Sequence, residues 1–161
     1  MGWGGASSLS SVVGIFFFTG PLLLLLSTIF EWIIGNFFNM MLCGFFCVFW
    51  SSLGILQLPT ADIASSYSPT GNALDGALTA DYNAGIALYI SVLGFAVFTI
   101  FLVTLRTNAV LAVLFVNATA GLFTLSASYW RASVGHLPTA LHLKHVRTAY
   151  VFVYRQLIIY F

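Results

Sequence analysis

The chain has 161 residues, 60% of them hydrophobic and 6% charged, with a formal net charge of +1. A soluble domain carries about 25% charged residues, and so short a chain cannot hide this much apolar surface from water, so lipid is its solvent over much of its length. The near-zero net charge, with no basic patch interleaved with aromatics, leaves no footprint for nucleic acid.

A bilayer-spanning helix needs about 20 largely apolar residues, and the sequence predicts four, near residues 11–34, 37–58, 84–105 and 109–129. Backbone groups in lipid must be paired internally, so helices are expected, and the long runs do not resemble the short alternating segments of a β-barrel. The fold class predicted is an all-α integral membrane bundle: four clear spans and a partial C-terminal helix.

The first span contains Glu31, the only charged residue in positions 1–61. Gly20, Leu24, Ser27 and Glu31 follow at spacings of 4, 3 and 4 and share one helix face. Three roles compete for Glu31: a proton-linked carboxylate in a transport path, a solvated or paired acid at the helix end, or an acceptor of backbone hydrogen bonds that orients the Gly35-Asn36 turn. In the second span, Cys43 and Cys47 share a face and read as small packing residues rather than a metal pair, since no further ligands stand nearby.

Residues 59–83 read as a solvated loop rich in Pro, Ser, Thr, Gly and Asn. The loop carries Asp62, Asp75 and Asp81 and no Lys or Arg, which favours a non-cytoplasmic side; Arg106 in the short "LRTN" connection favours a cytoplasmic one. The fourth span carries Asn117, Gly121, Thr124 and Ser128 on one face. That stripe reads equally as the wall of a polar path or as close helix packing through small residues and hydrogen bonds. Asn117-Ala118-Thr119 matches a glycosylation sequon, but mid-span it is out of reach of the modifying enzyme. His142 and His145 read as surface residues rather than metal ligands. "RTAYVFVYRQLIIYF" at the C-terminus is apolar and aromatic, interrupted by Arg155, and reads as a partial, interfacial or truncated span. There is no HExxH, no phosphate-cradling glycine loop and no nucleophile–base set, so neither catalysis nor a cofactor is expected.

Several phrases in combination resemble one family. "FEWIIGNFF" resembles the Glu-Trp/Tyr-x-x-Gly-Asn-Thr-Phe pattern of the acetate uptake transporters, the succinate–acetate permeases. "FFCVFWSSLG" continues it, "DYNAGIALYISVLGFAVFTIFLVTLRTN" is similar to its fungal-type members, and "SASYW" closes the next helix as in that branch. The resemblance covers roughly residues 2–135. It implies a six-helix protomer in homo-oligomeric rings, multi-pass in the plasma membrane, with acetate, related small monocarboxylates or succinate as substrate. Movement would be proton-coupled or channel-like. By register from Glu31 and Trp50, the aromatic at the neck of the path falls on Phe46, and a second neck residue falls on Ala118. Asn36, Asn83, Asn117 and Thr124 are the polar candidates along the path, and Glu31 the proton-linked or structural acid.

This sequence departs from the family pattern at several points. The Asn-Pro-Ala-Pro-Leu-Gly-Leu of the family's first helix is absent, and "MGWGGASS" looks like the lead-in to the second. Gly-Asn-Thr-Phe becomes Gly35-Asn36-Phe37-Phe38, and the last span has no counterpart in residues 136–161. The expectation is therefore a transporter domain over residues 1–135, truncated at both ends relative to the family, followed by a divergent basic and aromatic segment. Two other readings stand beside transport: an inactive or non-transporting truncated paralogue, and an ammonium or cation channel.

Overall fold

Four of the helices are long and apolar enough to cross a bilayer, at 20, 21, 25 and 25 residues. At 1.5 Å per residue they reach about 30–37 Å, against a hydrocarbon core of about 30 Å. The structure is a computed structural model, and it describes residues 13–146. It shows two compact units, one ending at Ile63 and one beginning at Ala64, each built on a helical hairpin.

In the first unit, α1 is Ile15–Ile34 and α2 is Phe37–Gln57. The opening of α1, Ile15–Leu22, is π-helical and contains Pro21. A proline lacks an amide and crowds the preceding turn, and the wider π turn absorbs it. The α1 C-terminus closes on Gly35, at φ +82°. The Gly35 amide donates to the Trp32 carbonyl (3.1 Å) and the Asn36 amide to the Glu31 carbonyl (2.9 Å), the two bonds of a Schellman motif.

The two helices approach through small groups. A Cβ on Gly20 would lie 3.1 Å from the Trp50 side chain, and one on Gly54 would lie 3.1 Å from Phe16 and Phe17. Ser27 Oγ lies 3.4 Å from Cys43 Sγ, and the Cys47 thiol donates to the Pro21 carbonyl at 3.3 Å. Both cysteines are free and serve as packing residues in this seam, as their spacing suggested.

In the second unit, α3 is Ala73–Leu78, α4 is Ala80–Thr104 and α5 is Ala109–Ser133. The buried residues of α4, Asn83, Ala87, Ile90, Gly94, Val97 and Thr104, recur at near-heptad spacing. They form a seam of mostly small side chains toward α5, where Phe123 sits against Gly94 and stacks edge-on with Phe95 at 5.1 Å. Large apolar side chains turn outward instead: Phe95 is 63% exposed while Ala87 is fully buried. This is the membrane pattern, in which lipid solvates the bulky groups and small residues let backbones meet. A further helix, α6, begins at 137 and is described to 146, with Lys144 Nζ 4.9 Å from the centre of the Tyr129 ring.

Two sequence expectations are corrected. Residues 59–83 are not one irregular loop: they contain short 3-10 turns at Pro59–Ala61 and Ile63–Tyr67, then α3, and α4 begins at Ala80 rather than Ala84. Thr79 makes this early start possible. Its Oγ1 accepts from the Tyr82 amide and donates to the Gly76 carbonyl at 2.7 Å, so one hydroxyl caps α4 and ties it to α3. Likewise α5 continues past Tyr129 to Ser133. The C-terminal apolar stretch from Arg147 and the first residues of the first predicted span lie outside the described residues.

Candidate functional site

The neck candidate Phe46 is half-buried on α2. Its ring meets Phe45 edge-on at 5.5 Å and Phe49 edge-on at 6.3 Å. Phe49 then contacts Trp50 at 5.5 Å, and Trp50 stacks on Phe16 of α1 at 5.5 Å. The i, i+3, i+4 spacing of Phe46, Phe49 and Trp50 lines the rings along one side of the helix. Interlocked rings of this kind have little rotamer freedom and present a stiff apolar wall.

Glu31 is half-exposed one turn before the end of α1. Its backbone carbonyl, not its carboxylate, accepts the hydrogen bond that closes the turn. The idea that the acid group itself organises Gly35-Asn36 is therefore corrected, and the carboxylate is left with the other two roles. The stripe running up to Glu31 has its own explanation, since Gly20 and Ser27 face α2. Asn36 is exposed and starts α2, but its side chain makes no capping bond.

The polar candidates of the second unit differ in what they have left to offer a ligand. Asn83 is 7% exposed, and its Nδ2 donates to both the Ala77 carbonyl (3.0 Å) and the Thr79 carbonyl (2.8 Å). Both of its N–H donors are thus committed to the α3–α4 junction. Thr124 Oγ1 donates to the Ala120 carbonyl, and Ser128 Oγ to the Leu125 carbonyl at 2.7 Å. Each has turned its single proton back onto its own helix, the usual resting place for a hydroxyl in lipid. Asn117 Nδ2 gives one N–H to the Val113 carbonyl at 2.7 Å and keeps a second. Ala118 beside it is half-buried. In the sequon, Thr119 is buried and its hydroxyl donates to the Phe115 carbonyl at 2.7 Å.

One polar cluster escaped the sequence reading. Ser91 Oγ and Ser126 Oγ lie 2.7 Å apart across the α4–α5 seam, and each is 2.9 Å from the Ala87 carbonyl. Two hydroxyl protons serve three contacts, so one hydroxyl donates to the other while its neighbour holds the carbonyl. Ser126 stands in the quoted "SASYW" phrase, and its seven-residue offset from the buried Thr119 is the signal that would have placed it in the seam. On α6, His142 and His145 are exposed. Among the described residues no cluster of His, Cys, Asp and Glu could hold a metal ion.

Residues 1–158 match the model of the GPR1/FUN34/yaaH family. Two curated proteins from two strains of Aspergillus fumigatus, each called Protein alcS, are 30% identical to this chain over 136 residues, which is 83% of this chain and 50% of the relative. The chain thus spans about half the length of the curated relatives it matches. No solved structure matches. The family match continues to residue 158, past residue 135 where the resemblance of individual phrases stops.

Proposed function

The chain belongs to the GPR1/FUN34/yaaH family, an acetate-transporter family, and on that premise we propose that it carries acetate and related small carboxylates across the membrane with proton coupling. The observation that supports this reading most is the family match over residues 1–158 in a protein with four membrane-length helices. A carboxylate entering a low-dielectric passage loses its hydration and needs donors in exchange. Asn117, with an N–H to give, is the polar contact of the second unit in this proposal. In the first unit Phe46, held by its neighbouring rings, is the apolar wall that turns away larger hydrated ions in this proposal. Glu31 is the residue through which a proton is linked to substrate movement. The proposal includes plasma-membrane residence and assembly of copies into a homo-oligomer, as the family resemblance implies.

Uptake of labelled acetate by cells lacking their own carrier, expressing this chain, tests the proposal. Accumulation above vector controls that grows as external pH falls is the expected result. Absence of uptake with the protein inserted in the membrane would overturn it and leave the non-transporting reading. Ammonium flux without acetate flux in reconstituted vesicles would favour a channel instead.

A further inference from the structure

At the end of α4, Thr99, Leu102, Val103, Arg106 and Thr107 line a shallow groove of about 440 Å³. Thr99, Leu102 and Val103 share one face of the last turns of α4, and Arg106 and Thr107 follow in the turn beyond it. That face points away from α5. The seam toward α5 runs through Gly94, Val97 and Thr104, and Thr99 is about 200° around the helix from Val97. Leu102 and Val103 are 48% and 49% exposed, and Thr99, Arg106 and Thr107 are exposed too.

The groove changes character along its length. Leu102 and Val103 lie in the last turn of the membrane-length helix, whereas Arg106 stands two residues beyond its end at Thr104. Arg106 is the only cation in residues 1–130. The acids of its own unit, Asp75 and Asp81, belong to the opposite end of α4, which is about 37 Å long. Neither of these carboxylates is therefore within reach of the guanidinium. The hydroxyls of Thr99 and Thr107 donate to the Phe95 and Thr104 carbonyls, so Arg106 is the cationic donor that remains at the mouth.

We propose that this face of α4 seats one anionic phospholipid of the surrounding leaflet, with Arg106 on its phosphate and an acyl chain along Leu102 and Val103. The polarity of the groove, cation at the interface and apolar wall below, runs in the same sense as a phospholipid. A guanidinium suits the ligand because its planar fork pairs with phosphate oxygens in two parallel bonds.

The test is native mass spectrometry of the full chain released from nanodiscs of equal phosphatidylglycerol and phosphatidylcholine. The wild type is expected to retain phosphatidylglycerol in preference to phosphatidylcholine. Arg106→Gln is expected to lower that retention about fivefold, the effect of roughly one cationic charge at a membrane surface. Arg131→Gln, which removes a cation from the other end of the hairpin, is expected to leave it unchanged. Equal retention of the two lipids in the wild type would overturn the proposal, as would equal losses in the two variants. Displacement by inorganic phosphate alone would assign the site to a free anion and also overturn it. Circular dichroism of the variants checks that helicity is intact. The readout is lipid retention, so it stands or falls separately from acetate uptake.

Discussion

At Gly35 the backbone sits at φ +82°, and a Cβ there would meet nothing within 4 Å. The requirement for glycine is therefore conformational, not steric. A side chain in the left-handed region costs about 1–2 kcal/mol, so Gly35→Ala should destabilise the α1–α2 hairpin by about 1 kcal/mol, with Gly35→Asn milder, in thermal unfolding in detergent. Glu31→Gln should leave that stability within about 0.5 kcal/mol, because the carbonyl of residue 31 makes the turn whatever its side chain. The same variant should flatten the pH dependence of acetate uptake; an unchanged pH profile would remove Glu31 from proton linkage. Asn83 and Asn117 of the second unit part in the same way. Asn83→Ala strips two hydrogen bonds from a buried junction, and a loss of about 1–3 kcal/mol in unfolding is expected. Asn117→Ala should spare stability and lower uptake. Sequence spacing could not separate these two residues, since what distinguishes them is how many donors each has already committed, a property of neighbouring carbonyls.

Helix pairing in both units depends on where side chains are missing. At Gly76 a Cβ would fall 1.7 Å from the Ala64 carbonyl oxygen, where the 3-10 turn Ile63–Tyr67 crosses α3. Backbone cannot yield as a rotamer can, so Gly76→Ala should be among the most damaging single changes, about 2–4 kcal/mol in thermal unfolding. Ser126→Ala is expected to cost much less, about 0.6 kcal/mol, because hydrogen bonds between membrane helices contribute little net stability. If the serine variant proved worse than the glycine one, close backbone approach would not be what holds this unit. The spans themselves were legible in the sequence, because an apolar run longer than a bilayer is thick leaves few alternatives. The start of α4 was not, since Ala80–Asn83 carries Asp81 and Asn83 and resembles a loop in hydropathy alone. Thr79 as a cap, with Asp81 in the first turn, was the local signal of a helix start that hydropathy obscured. The short α3 was hidden for a related reason: six residues bear no periodicity long enough to read.

Across the sequence charge is scarce, and its few positions carry the topological signal. Asp62, Asp75 and Asp81 gather between α2 and the first turn of α4, while Arg106 marks the α4–α5 turn. The charge bias of membrane loops predicts a non-cytoplasmic first region and a cytoplasmic second one. In a background without Cys43 and Cys47, Thr70→Cys should react with an impermeant maleimide on intact cells, and Thr107→Cys only after permeabilisation. The reverse pattern would invert the topology. Family membership was legible because several phrases agreed at once, but the neck could be placed only through that resemblance. What the fold adds is how the Phe46 side chain is held. Its ring is braced by Phe45 and Phe49, and through Phe49 and Trp50 the ladder reaches Phe16 on α1, so turning it aside disturbs at least the two rings beside it. Phe46→Ala removes the wall and leaves its supports. In cells that take up acetate through this protein, the variant should therefore accept larger monocarboxylates such as butyrate and benzoate in competition with labelled acetate, while the wild type discriminates against them. A competition profile identical to the wild type would place the neck elsewhere, and Phe46 would then be only a member of the aromatic ladder that stiffens α2.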